Sequence, residues 1–541
     1  MPKLSAISIF SAKWFWIATL AIGVGLRFHQ YFLDRSLWID EAFLALNILE
    51  RSYAELLEPL AYNQAAPIGF LLVEKFFVRS LGNSELVLRL FPFICGIAAL
   101  FLCYVLARRL SHPLAAAVAV GLFALCDRAI YYSAEVKQYS SDVAIALILL
   151  LLALRFVAES KSTPWRDVAL FSVIGAIAIW CSHPSAFIIA GTGLCVLILA
   201  ARHRNWTQFV RCAIAFGTCG LSFAAFYTFS LRQIASNPDL QSSWDESHGA
   251  FMPLPPSSLT DLKWFFDTFF KVFDYPVGIH LTGIAALVFL IGCAALWKTR
   301  PTVLCLLMSP IALTLVASGL HQYPFKGQLL LFAVPLILLV IGEGVREIFE
   351  NAGSTLKAGA IVLAALLFSH PLYYVALNLN APQIPPSFEY QRVREDIQPV
   401  LEYVATHREA DDTIYLYYAS GYAFRYYAAK YGFSELVREP EPEKGDRDWF
   451  APALASVPPR LIVGSVTRYD RSSFVEKDLP QLQGRSRVWV VFSHVRDRRS
   501  TIDEETVLLH QLSRDGQQLD DFQSVEASVY LFDFSGEPSN G

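Results

Sequence analysis

A helix needs about 20 apolar residues to cross the hydrocarbon of a bilayer, and this chain carries such segments in succession between residues 11 and 379. In lipid only a helix or a closed barrel satisfies its own backbone polar groups. Segments of this length and continuity therefore predict a polytopic α-helical membrane protein. The spans are expected at about 11–29, 87–107, 114–132, 143–158, 167–181, 184–201, 212–231, 277–297, 302–320, 328–345 and 357–379. That makes about eleven transmembrane helices, and up to thirteen if weaker segments such as 67–81 also cross. Composition agrees: 54% of the 541 residues are hydrophobic and 17% are charged, against about 25% charged in an ordinary soluble chain.

Lysines and arginines orient the spans, because they accumulate in cytoplasmic loops. Arg108-Arg109, Lys161 with Arg166, Arg202 with Arg204, Lys298 with Arg300, and Arg346 all fall on one side of this arrangement. The first segment is read as a retained span. The opposite face then receives a long outer loop, 30–86, in which 39–60 and 67–81 read as helices lying on the membrane surface. A second outer loop covers 232–276. The spanning domain is 1–380, a proline linker covers 381–386, and 387–541 is polar. In that last part, candidate strands at 413–418, 461–466, 488–493 and 528–534 alternate with candidate helices at 397–407, 422–431 and 504–513. Alternation of the two periods predicts a small extracytoplasmic α/β domain.

The net charge of −4 says little about partners, and neither a basic patch nor a P-loop is present, so nucleic acid is not an expected partner. The nine cysteines lie in or beside apolar segments without metal-ligand spacing; they read as small core hydrophobes.

Polar residues gather on the outer face. Asp40 and Glu41 follow the first span. Arg89 stands at the mouth of the second, Glu135, Lys137 and Tyr139 follow the third, and His183 sits between the fifth and sixth. His321, Tyr323 and Lys326 follow the ninth. A carboxylate at a membrane boundary can take a proton from an incoming hydroxyl, and cations can stabilise charge on a departing phosphate. Each residue also has a plainer role. Acids favour a first helical turn, Tyr131, Tyr132 and Tyr139 suit an interfacial belt, and Lys326 and Arg89 can reach up to headgroups. Glu135 and Lys137 read equally as solvated loop charges, and His183 as a turn cap.

Taken in order, Trp38-x-Asp40-Glu41, Asn63-Gln64-Ala65-Ala66-Pro67, Leu88-Arg89-Leu90-Phe91-Pro92, Tyr132-Ser133-x-Glu135-x-Lys137-x-Tyr139 and the run from Tyr323 to Leu331 resemble the polytopic GT-C glycosyltransferases. The branch they resemble is glycosyltransferase family 39, which includes protein O-mannosyltransferases and aminoarabinose transferases acting on lipid A. The likeness covers roughly residues 10–380. It implies a polyprenyl-phosphate sugar donor and a lipid, glycan or protein hydroxyl as acceptor. The reaction would be inverting transfer at the outer face of a bacterial plasma membrane. By the same resemblance Asp40 is the general base, and Glu41 orients the acceptor or assists a metal. Arg89, Lys137 and Lys326 bind the donor phosphate, Glu135 and Tyr139 shape its pocket, and His183, His321 and Tyr323 lie around it. No organic cofactor is implied; a divalent metal is left open, without assigned ligands. Ala65-Ala66-Pro67 departs from the His-Pro-Pro or Lys-Pro-Pro of many relatives, and Gln328 stands where an arginine is common. A transporter or flippase of lipid-linked sugars is the alternative. It would favour internal repeats and ionisable groups at the bilayer midplane, whereas here the polar residues collect at one face.

Overall fold

The computed structural model describes residues 13–157, 162–232, 237, 244, 249–351, 354–380, 395–438, 453–467, 472–495 and 503–536. The expected linker at 381–386 lies outside them. The chain forms two compact units. One comprises Met1–Leu33, Tyr53–Pro59 and Ala65–Leu379; the other comprises Asp34–Ser52, Leu60–Gln64 and Asn380–Gly541. The segment carrying Asp40 and Glu41 thus belongs to the same unit as the C-terminal polar third.

In chain order the helices are α1 (Lys13–Tyr31), α2 (Ile39–Glu50), α3 (Ile68–Leu81), α4 (Glu85–Leu88), α5 (Leu90–Leu110), α6 (Pro113–Leu125), α7 (Asp127–Tyr131) and α8 (Tyr139–Ala153). They continue with α9 (Trp165–Cys181), α10 (Ser185–Arg202), α11 (Trp206–Phe226), α12 (Leu259–Asp274), α13 (Thr282–Thr299), α14 (Pro301–Gly319), α15 (Val334–Asn351) and α16 (Ser354–Asn380). Among the described residues eight helical stretches are long and apolar enough to cross a membrane, or nine if the bent pair α6–α7 counts as one. All eleven expected spans are helical. The protein is therefore a polytopic helical membrane protein with a small sheet domain.

In the membrane unit α15 is the central helix, with Val334 to Val345 buried without interruption. A helix apolar on every side belongs in the interior. Glycines let its neighbours approach the backbone itself. A Cβ on Gly342 would stand 2.2 Å from the Ala115 carbonyl of α6, and one on Gly344 would stand 2.0 Å from the Val288 carbonyl of α13. Small residues at such crossings are the usual means of close packing in membranes.

Two expectations change here. The segment 114–132 is not one straight span: the chain turns extended at Cys126 (ψ 108°) and bends by 52° between α6 and the stretch Asp127–Ala134. Asp127 and Arg128 follow the break directly, their side chains 3.5 Å apart and buried. The outer loop expected at 133–142 is largely wound. A 3-10 turn at Tyr132–Ala134 leads to α8, which starts at Tyr139.

In the second unit the strands are β1 (Thr413–Leu416), β2 (Leu461–Val463), β3 (Val488–Ser493), β4 (Gln517–Ser524) and β5 (Ala527–Asp533), in the order β2-β1-β3-β5-β4. β1 pairs in parallel with β2 and β3, while β5 runs antiparallel to both β3 and β4. β1 and β3 are buried along their whole length, as continuous apolar runs in a parallel sheet are. α17 (Ile397–His407) packs with Ile397, Val400, Leu401 and Val404 inward, spaced for one helical face. Its Tyr403 stacks on Phe522 and donates to Asp520 at 2.7 Å. α18 (Gly421–Tyr427) and α19 (Glu504–Asp515) follow, the second capped by Asp503 accepting the Thr506 N–H at 2.7 Å.

The helix expected over 39–60 ends at Glu50, where Arg51 turns extended. Asn47 explains the stop. Its side chain donates to Phe43 O at 2.8 Å and accepts the Ala61 N–H at 3.0 Å, so residue 61 is drawn back over α2 and the helix cannot run on.

Candidate active site

The loop before α2 is fastened from both sides. Ser36 donates to Asp396 Oδ1 at 2.6 Å and accepts the Gln398 N–H at 3.2 Å. The Leu37 N–H donates to the Tyr427 hydroxyl at 2.8 Å, and the Ile39 N–H to Glu395 Oε2 at 3.1 Å. Below it, Phe43 packs edge-on against Tyr422 at 4.6 Å and Glu50 pairs with Arg425 at 2.8 Å.

Asp40 and Glu41 part company on this loop. Glu41 is fully buried, accepts from Arg35 at 3.0 Å and reaches back toward the Trp38 N–H at 3.5 Å. That is a capping carboxylate in the third helical position, and it fixes the loop. Asp40 is half-buried; among the described residues none hydrogen-bonds to or ion-pairs with its carboxylate.

The membrane unit gathers a second set. Hydroxyls stitch the break after α6 into a compact turn: Ser133 donates to Ile130 O at 2.6 Å, Ser140 to Tyr132 O at 2.9 Å and Ser141 to Gln138 O at 2.7 Å. That turn buries Glu135, Lys137 and Tyr139. The Tyr139 ring meets Tyr132 at 5.0 Å, and the Tyr132 hydroxyl bonds that of Tyr275, which donates to Gln328 Oε1 at 2.9 Å. Gly327, at φ 54°, lies against the Tyr275 ring, where a Cβ would come within 2.5 Å of a ring carbon. Only glycine fits there. This contact brings the segment after Lys326 to the turn.

Arg89 is buried at the junction of α4 and α5. The following turns of α5 press on the same stretch: Phe93 clusters with Ala134, and Gly96 sits under Ser133.

Sequence reasoning missed Arg128 and Tyr275. The Arg128 guanidinium lies 4.8 Å over the Tyr275 ring, adding a buried cation to this set. Its signal was present, since a charged pair inside an apolar run is rarely structural in a membrane.

The remaining candidates stand elsewhere in their elements. Tyr323 donates to Leu329 O at 3.0 Å and packs on Phe187; burial, with Asp142 nearby, raises its hydroxyl well above the ordinary value. His183 stacks on Phe226, and burial lowers it from 6.5 to about 4, so it is neutral. His321 is exposed against Phe251. Among the described residues no three His, Cys, Asp or Glu side chains are placed to hold a metal ion.

Long apolar spans and a buried tyrosine–cation turn define a membrane-embedded helical fold with a polar cluster at one end of its helices. Residues 65–229 match the family model described as dolichyl-phosphate-mannose-protein mannosyltransferase. The chain superposes on ArnT from Cupriavidus metallidurans, solved bound to undecaprenyl phosphate and in the apo state. In both, the TM-score is 0.52 at 12% identity, over 96% of this chain and 98% of that one. The Archaeoglobus fulgidus oligosaccharyltransferase, solved with Zn and sulfate, gives a TM-score of 0.42 at 12% identity over 75% of this chain. The chain spans 61% of that protein's length. No curated protein matches the sequence. The resemblance to the GT-C glycosyltransferases read from the sequence is thus borne out in the fold.

Proposed function

We propose that this membrane protein is a glycosyltransferase that moves a sugar from a polyprenyl-phosphate donor to a hydroxyl acceptor at the extracytoplasmic face of a bacterial plasma membrane. Asp40 takes the acceptor's proton as the oxygen attacks the anomeric carbon. The donor's sugar–phosphate bond breaks in the same displacement, with inversion, and polyprenyl phosphate leaves. One base and a good leaving group are enough for a single displacement.

The observation that carries this reading is the contrast within the acid pair. Glu41 is spent on Arg35 and the loop, whereas Asp40 stands half-buried with no protein hydrogen bond or ion pair among the described residues. In this proposal Lys137, Arg128 and Arg89, with Lys326, balance the phosphate charge, and Glu135 and Tyr139 shape its pocket. Guanidinium groups suit a phosphate geometrically. The donor's tail supplies affinity at about 0.8 kcal/mol per buried CH₂. ArnT, solved with undecaprenyl phosphate, supports the choice of lipid.

The test is turnover of a radiolabelled panel of undecaprenyl-phosphate sugars by purified protein in lipid, native against Asp40→Asn. Loss of general-base help lowers turnover by about 10²–10⁴-fold with lipid-phosphate binding kept. Equal turnover in the two forms removes Asp40 from the mechanism. Movement of lipid-linked sugar across the bilayer without transfer would make the protein a flippase.

A further inference from the structure

The turn that holds Asp40's loop contains a residue pair that no sequence motif marks. Glu395 uses one carboxylate oxygen to accept the N–H of Ile39, the residue just before Asp40. Its other oxygen is paired with His494 Nδ1. His494 is thus one carboxylate removed from the backbone that presents the base. Glu395 adopts φ 50° and His494 φ 53°. Such left-handed backbone in a non-glycine residue is strained and persists where the surroundings enforce it. Glu526, at φ 51°, sits in the two-residue turn between β4 and β5, and the Asp396 N–H donates to Val525 O at 2.7 Å. The turns carrying Glu395 and Glu526 are therefore tied together beside the histidine. A hairpin accounts for Glu526; nothing comparable accounts for Glu395 or His494.

We infer that His494 is a positioning residue for Asp40: paired with Glu395, which accepts the N–H of Ile39, its ring fixes the backbone that presents the Asp40 carboxylate and faces that carboxylate across the loop. This rests on Asp40 being the base. Burial opposes charge on the ring, but Glu395 first, then Asp40 and Glu526, outweigh it and raise His494 above the ordinary histidine value. The sign follows. The pairing is complete below the ordinary value and is lost as pH rises through the raised one. The charged groups facing the ring are Glu395 from the turn before α17, Asp40 from α2 and Glu526 from the β4–β5 turn; the Arg35–Glu41 pair lies on Asp40's own loop.

Coupling between two groups is reciprocal, so it can be read from the histidine without any donor. The full-length protein, labelled at its histidine rings and held in lipid nanodiscs, is titrated by NMR, with His494 assigned by its disappearance in His494→Gln. Asp40→Asn lowers the His494 midpoint toward the ordinary range, and Glu395→Gln lowers it further. A midpoint unmoved by Asp40→Asn overturns the inference, whatever that substitution does to turnover. With undecaprenyl-phosphate sugar as donor, His494→Gln lowers kcat and leaves the donor KM unchanged. A raised KM with kcat kept means a merely structural histidine and also overturns it. Native turnover in Asp40→Asn sinks the general-base reading instead, while a shifted midpoint would still establish the charge coupling.

Discussion

Gly344→Ala is the sharpest test of how the membrane unit is packed. Gly292 of α13 and Gly344 of α15 face each other's backbones: a Cβ on either would lie 2.0 Å from a carbonyl oxygen, of Val340 and Val288 respectively. Real Cβ contacts stay above 3.0 Å, so the helices must separate by at least 1.0 Å. The carbonyls cannot swing aside, because each is engaged in its own helix. Nor can α15 simply retreat, since Gly342 rests on Ala115 of α6 on another side. Overpacking a well-filled core costs typically 1–3 kcal/mol, and a helix wedged on two sides belongs at the upper end, about 3 kcal/mol. Gly292→Ala costs a similar amount. The separation that relieves one substitution relieves the other, so the double variant loses less than the sum. The assay is thermal unfolding of purified protein in one detergent at one scan rate, where Gly344→Ala lowers the midpoint by about 5 °C. A midpoint within a degree of native, or strictly additive losses, would refute the close backbone crossing.

Glu41→Ala removes the acid from a guanidinium that is itself buried. Breaking a buried pair costs about 3–5 kcal/mol, so it unfolds at lower temperature, while Arg35→Met/Glu41→Leu recovers much of the loss; unchanged melting would deny the pair a structural role. In the proposed phosphate role, Lys137→Met removes one charge-assisted bond of about 1.5–3 kcal/mol and raises the donor KM roughly 10–100-fold, with a smaller effect on kcat. Unaltered undecaprenyl-phosphate binding would take Lys137 out of the phosphate site. His183 is lowered from 6.5 to about 4 by burial, so the folded state resists charging it and loses stability as pH falls through that window. His183→Gln flattens the stability–pH curve between 6.5 and 4, and an unchanged curve would mean that the ring is solvated.

The spans were legible because crossing a bilayer is a matter of local length and polarity, and each expected segment carries its helix. The break at Cys126 was not. Counting 114–132 as apolar averaged away Asp127 and Arg128, the buried pair that directly follows the bend. In the polar domain, β3 was found at its true bounds because it is an uninterrupted apolar run. β4 escaped notice because Gln-Gln-Leu-Asp-Asp-Phe-Gln-Ser lies at the sheet edge with its residues largely in solvent. Asp40 stood out as an acid at a membrane boundary. Glu395 and His494 could not, because their value depends on contacts 356 and 99 residues away along the chain, and no local pattern encodes such distances.

The grip on the loop before α2 also sets a timetable. Ile39 and Leu37 are synthesised early, but the residues that hold them, Glu395 and Tyr427, follow 356 and 390 residues later. At about 5–20 residues per second, the loop before α2 waits roughly 20–80 s for its support. A ribosome-bound chain can thus finish making its spans while that loop is still unheld. The loop takes its final geometry only after Glu395 and Tyr427 have been made, so folding there is ordered by the sequence distance itself.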